Sequence, residues 1–175
     1  MAVVNKEVIA LSDVQEYGAL FPGEGGMDQK AVLDRLIDQT VLLAEAKKLE
    51  IPPPAEEEIV FAYQDLESRH GGPAVFQSVR ERMNLSEEEI RHYLRARLHI
   101  ERLIEQRIRF FVFATPREVE AFREEFPDRY SDLPEDEALA AIQASIIEKK
   151  AGQKLATYLD RLRTRTDIQI NYPRQ

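Results

Sequence analysis

Few residues in this chain have the type and spacing to do chemistry, and each has a simpler reading. His92 and His99 lie seven residues apart, two turns along one helix, whereas paired histidine ligands on a helix are spaced by three or four. They read as solvated surface residues. His70 stands at a predicted helix C-terminus, where a partly charged imidazole suits the negative end of the dipole. Gly71-Gly72 follows no strand and belongs to neither GxGxxG nor GxxxxGK[ST], so it does not read as a phosphate loop. The runs Glu56–Glu58 and Glu87–Glu89 open predicted helices, and capping accounts for both. No GxSxG is present and no histidine has triad-like spacing. The absence of cysteine removes disulfides, thiol catalysis and zinc–thiolate sites together. Arg95, Arg97, Arg102, Arg107 and Arg109 alternate with Glu101 and Glu105, a salt-bridged helix surface rather than a nucleic-acid stripe. No catalytic residue, metal or cofactor is expected.

What stands out instead is apolar excess where helical patterning calls for polarity. In the third predicted helix Ile59, Ala62, Tyr63 and Leu66 form the core stripe, Phe61 falls roughly opposite, and Val60 lies between. Phe76 and Val79 sit on a short helix behind Pro73, near Met83. Arg109-Phe110-Phe111-Val112-Phe113 puts three phenylalanines within four positions, more than one helix face can bury. Phe122, Phe126 and Tyr130 follow. Each alone is most often core. Together they suggest adaptable apolar contacts, such as a groove that receives other chains. Patterning leaves both readings open.

The elements that must position these residues are mostly helical. Ser12 caps a short helix to about Leu20, and the 21–26 segment breaks it. Asp28 caps a long helix to about Glu50, ended by Pro52-Pro53-Pro54. Further helices span about Ala55 to His70, Pro73 to Met83, Glu87 to Phe111 behind the capping box Ser86–Glu89, and Thr115 to Glu125 behind a second box. After a loop, a last helix runs from about Glu135 to Thr164. Its apolar stripe changes face, from Leu139, Ile142 and Ile146 to Leu155, Tyr158, Leu159 and Leu162, near Gly152. The two ends look like strands: residues 2–11 read as a hairpin around Asn5-Lys6-Glu7, and residues 167–172 alternate apolar and polar. A lone hairpin gains from a third strand, so Val3–Ile9 is expected to pair with Ile168–Ile170.

At 175 residues, 43% hydrophobic and 32% charged, the chain is globular, with room for one real core. A net charge of −8 argues against nucleic acid as a partner. No stretch approaches the roughly 20 apolar residues of a membrane span. No export signal precedes Asn5-Lys6-Glu7; either the protein is cytoplasmic or Met1 replaces a removed signal.

Several segments resemble the SurA-type periplasmic chaperones. They are Ala2–Asn5, Val8-Ile9 and Ser12–Val14; Val32–Gln39, Glu45–Leu49 and Ile51; Gly71-Gly72 with Phe76; Leu85–Arg91 and Leu94-Arg95; and Lys149-Lys150, Tyr158-Leu159, Leu162-Arg163 with the closing strand. The resemblance covers nearly the whole chain. It implies a mainly α fold, a multi-helix chaperone module with a small antiparallel sheet formed by the N-terminal hairpin and the C-terminal strand. The single module would span residues 1–175: hairpin and helices 1–126, a loop 127–134 where the family inserts a parvulin prolyl isomerase domain, and helix and strand 135–172. Lacking that insert, the chain is expected not to be an enzyme. The resemblance further implies a periplasmic, ATP-independent chaperone that binds unfolded outer-membrane protein precursors. Phe61, Phe76, Met83, Phe110 and Phe113 are the candidate client contacts, though core packing explains each almost as well. The alternative is a non-chaperone assembly module, a homodimer that swaps the end of its long last helix; a relict prolyl isomerase ranks third.

Overall fold

The structure, a computed structural model, describes residues 1–23 and 28–171. Along the chain run β1 (Ala2–Val4), β2 (Glu7–Ile9), α1 (Leu11–Leu20), α2 (Gln29–Lys48), α3 (Glu56–Arg69), α4 (Pro73–Met83), α5 (Glu87–Arg107), a 3-10 turn (Arg109–Phe111), α6 (Pro116–Glu125), α7 (Glu135–Arg163) and β3 (Ile168–Ile170). The fold is mainly α with one small antiparallel sheet, as expected. Tyr172 of the expected strand and residues 24–26 of the expected break lie outside the described residues.

The sheet order is β2-β1-β3, so the first strand is the central one. Ala2, Val3 and Val4 face Ile9, Val8 and Glu7 on one edge, and Ile170, Gln169 and Ile168 on the other. The two ends therefore meet within one molecule. Pairing extends past the strands: the Asn5 N–H donates to the Asp167 carbonyl at 2.9 Å, and the Asn171 N–H to the Met1 carbonyl at 3.0 Å. The hairpin loop is Asn5-Lys6, at φ 47° and 80°. Positive φ at both positions is the two-residue turn whose twist matches its strands. Asparagine suits the first position; lysine at the second carries backbone strain that glycine would not.

Local chemistry sets most helix starts. Asp28 accepts from the Lys30 N–H at 3.0 Å. Ser86 with Glu89 and Thr115 with Glu118 form the expected capping boxes. Two starts differ. Ser12 lies inside α1, which Asp13 caps by accepting from the Ala10 N–H at 2.8 Å, and Glu58 does the same for Ala55 at 2.7 Å. Gly71 and Gly72, at φ 89° and 102°, make the turn from α3 to α4 that a side chain would strain.

Two compact units divide the chain, Met1–Leu103 with the stretch from Arg161 on, and Ile104–Asp160. The first has a core of Val4, Ile9, Tyr17, Leu20, Ile37, Ile59, Phe76 and Ile90, against which Leu162 and Ile168 pack. Arg163 Nε lies 2.7 Å from the Asp38 carboxylate, tying the end of α7 to α2. The second unit holds two smaller clusters, Ile108, Val112 and Ala151, and Val119, Ile142 and Ile146. The expected change of face on α7 is present: Ile142 and Ile146 pack on Val119, whereas Leu162 belongs to the other unit's core. Leu139 is exposed, because Ala138, one turn before Ile142, takes the inward position.

His99 is buried rather than solvated, and its Nε2–H donates to the Ile51 carbonyl at 2.7 Å. Its neighbour Arg102 donates to the Pro52 and Pro53 carbonyls at 3.1 and 2.6 Å and pairs with Glu58. The α5 arginines do form a salt-bridged surface, both within the helix and to α3: Arg91 meets Glu87 at 2.8 Å and Glu56 at 2.7 Å, and Arg95 meets Glu88 at 3.7 Å and Glu56 at 3.5 Å.

Replacing Lys6 by glycine is expected to raise stability by about 0.5–1 kcal/mol, by relieving the positive φ. Urea denaturation checks it; a destabilised variant would contradict the turn geometry.

Candidate functional site

In the first unit, Phe61 is forced outward by the helix that carries it. It sits two residues from both Ile59 and Tyr63, which are buried, and at about 100° per residue it cannot share their face. Its side chain is 73% exposed. It stands at the edge of an open groove of about 440 Å³ formed by the end of α1, by α3 and by α5. Leu20, Leu66 and Leu94, all buried, form the apolar floor; Phe21, Ala62 and Leu98 extend it, and Asp65, Arg69, Arg97 and Glu101 supply charge.

Polar ties hold these walls together. The Arg97 guanidinium lies 4.3 Å over the Phe21 ring and donates to the Tyr17 hydroxyl at 3.2 Å, which also accepts from Gln39 at 2.5 Å. His70 Nε2 lies 2.8 Å from the Leu20 carbonyl. A carbonyl only accepts, so this nitrogen carries the proton and the ring ties α3 to the end of α1. Asp65 and Arg69 pair at 2.7 Å. The result is an apolar trough with a charged rim.

Of the residues expected to contact clients, Phe76 is fully buried. Its ring meets Tyr63 edge-on at 5.7 Å and His70 at 5.0 Å, so it supports the groove from behind. Met83 is half-buried against the same core. The α4 stripe that carries Phe76 and Val79 faces inward because α3 packs over it; periodicity put Phe61 opposite its own core stripe but did not show that this face of α4 is covered. The groove also uses residues missed from sequence. Phe21 reads there as a chain break, His70 as a helix end, and Arg97 as a surface ion pair. The available signal was Leu94 and Leu98, four apart on one face with Arg97 beside them.

Phe110 and Phe113 belong to the second unit. The predicted helix to Phe111 ends instead at Arg107, and residues 109–111 make a 3-10 turn. Ile108 and Val112 are buried there, while Phe110, Phe111 and Phe113 are 78%, 58% and 67% exposed. Two lysines of α7 fix this backbone: Lys154 Nζ donates to the Phe111 carbonyl at 3.0 Å and Lys150 Nζ to the Phe113 carbonyl at 2.9 Å. Lys150 also binds the Glu118 carboxylate at 2.7 and 3.0 Å. Hydrogen bonds from Lys150, and from the Thr115 N–H and hydroxyl, hold the Glu118 carboxyl down to about 2.

Two outcomes test this arrangement. Phe76→Ala is expected to cost about 3–5 kcal/mol of folding stability, by emptying a filled core site, whereas Phe61→Ser stays within about 0.5 kcal/mol; chemical denaturation separates them. Glu118 has a depressed pKa, so its pair with Lys150 persists as pH falls past the ordinary carboxylate range and is lost only near pH 2. Carboxyl NMR titration should find that midpoint, and an ordinary value would mean that the lysine clamp is not formed.

No protein-family model matches the chain, and no curated protein matches it either. A solved structure does match, from a study of the virulence factor PEB4 and the periplasmic protein Cj1289, described as two structurally related SurA-like chaperones of the human pathogen Campylobacter jejuni. The likeness covers 98% of this chain and 98% of that one, with a TM-score of 0.61 and 13% sequence identity. At that identity what is shared is the fold: this chain is built like a SurA-like chaperone.

Proposed function

We propose that the protein is an ATP-independent chaperone that holds unfolded polypeptides in the groove of its first unit. The observation that carries this reading is Phe61, a bare phenyl ring beside an apolar trough whose charged rim keeps the free protein soluble. The fold shared with SurA-like chaperones supports it. The resemblance of the sequence to that family extends the proposal to the periplasm and to outer-membrane β-barrel precursors, whose strands alternate apolar residues and carry aromatic girdles. A rigid apolar floor with an exposed ring at its edge takes such side chains without demanding one sequence. Phe76 and Met83 act behind this surface. Phe110 and Phe113 stand on the second unit's ridge, which has a different electrostatic character.

Light scattering of an unfolded outer-membrane protein diluted from urea tests the proposal. Equimolar protein should suppress aggregation, and Phe61→Ser should weaken suppression several-fold with an unchanged melting temperature. No suppression at stoichiometric protein rejects the reading; a tight dimer without client affinity favours an assembly module instead.

A further inference from the structure

Three phenylalanines of the second unit are held out of its core by their own backbone. Val112 is extended, at φ −117° and ψ 125°, and its side chain is buried. Phe113, next along the extended backbone, therefore alternates to the outward side, and Phe111, the last residue of the 3-10 turn, is exposed as well. The Phe110 ring meets Phe111 edge-on at 5.2 Å, and the exposed Phe113 ring stands two residues on, with Lys150 Nζ 5.7 Å from its centre; we call this exposed stretch the ridge. The lysine hydrogen bonds to the Phe111 and Phe113 carbonyls fix the backbone, so folding the rings inward would break them.

The charge around this ridge opposes that of the chain. Arg107, Arg109, Lys149, Lys150 and Lys154 stand on the segments that carry or clamp it, against Glu105, Glu118 and Glu148, in a protein of net charge −8. Two opposite pairs cancel, Glu118 with Lys150 at 2.7 Å and Glu148 with Arg109 at 2.9 Å, which leaves Arg107, Lys149 and Lys154 against Glu105. Exposed phenyl rings among lysines and arginines have the composition of an element that lies in a membrane interface, rings at the acyl boundary and cations at the phosphates. Arg107 and Lys149 are long enough to extend from such a ridge to the headgroups while their stems stay apolar.

We propose that the Phe110–Phe113 ridge docks this unit onto an anionic lipid surface. The rings insert into the headgroup region, and the basic residues around them supply attraction to lipid phosphates that salt screens. Docking uses none of the groove residues, so it holds whether or not Phe61 binds clients.

The chain contains no tryptophan, so Phe110→Trp provides a single fluorescent reporter. With phosphatidylcholine vesicles containing one-third phosphatidylglycerol, at low salt, the reporter should shift to the blue and the unaltered protein should float with the vesicles. Pure phosphatidylcholine should bind at least about tenfold more weakly. The double substitution Phe111→Ser with Phe113→Ser should abolish flotation, with circular dichroism unchanged, and Phe61→Ser should leave it intact. Absence of flotation, equal binding to neutral vesicles, or binding that survives the double substitution overturns the proposal. So does a blue shift that grows with protein concentration in the absence of vesicles, which would assign the ridge to a second copy of the chain.

Discussion

Strand β1 is hydrogen-bonded on both of its edges, to β2 on one side and to β3 on the other, and this couples the first residues of the chain to residues 168–170. Ala2 and Val4 face the core of the first unit, where α2 packs against β1. Three strands with an apolar face are near the minimum for a stable sheet, so the hairpin depends on a segment that arrives more than 150 residues later. That requirement constrains α7. Its C-terminal end must return to the sheet, and Leu162 in the core, Arg163 on Asp38 and Ile168 beside Val4 hold it there. Residues 104–160 are thereby set between two stretches of chain anchored in the same unit.

The titratable and cationic side chains of the first unit act mainly as struts. A run of three prolines supplies carbonyl acceptors and no N–H donors, and Arg102 satisfies two of those carbonyls while His99 satisfies Ile51. His70 does the same for Leu20, where α1 ends. These bonds join α5 to the proline segment and α3 to the end of α1, the second of them at the groove itself. They allow an exposed apolar trough to keep its shape without a second layer of side chains above it.

The two apolar surfaces differ in kind. The groove is concave, its floor shared with the core, and its rim carries both signs of charge. The ridge consists of rings on an irregular backbone that lysines clamp, with cations in excess around it. On the readings proposed above, the trough would take an unfolded chain and the rings an anionic lipid face, so Phe61 and Phe113, the same residue type, stand in different settings.

Much of the fold was legible because its determinants are local. Asp28, the Ser86–Glu89 and Thr115–Glu118 boxes and Pro73 act within four residues, so sequence alone locates those helix starts. The alternation of residues 167–170 was enough to mark a strand, and the inward stripe of α3 already left Phe61 without a place in the core. Tertiary structure decided what depends on partners far along the chain. His99 is buried because the Ile51 carbonyl lies against it, and Phe76 is core because Tyr63 and His70 close over it. The helix ends at Arg107 because Ile108 and Val112 turn onto Ala151, leaving the phenylalanines outside. Periodicity records which face of a helix is apolar, but the neighbour that covers that face comes from another element, and only the packed chain specifies it.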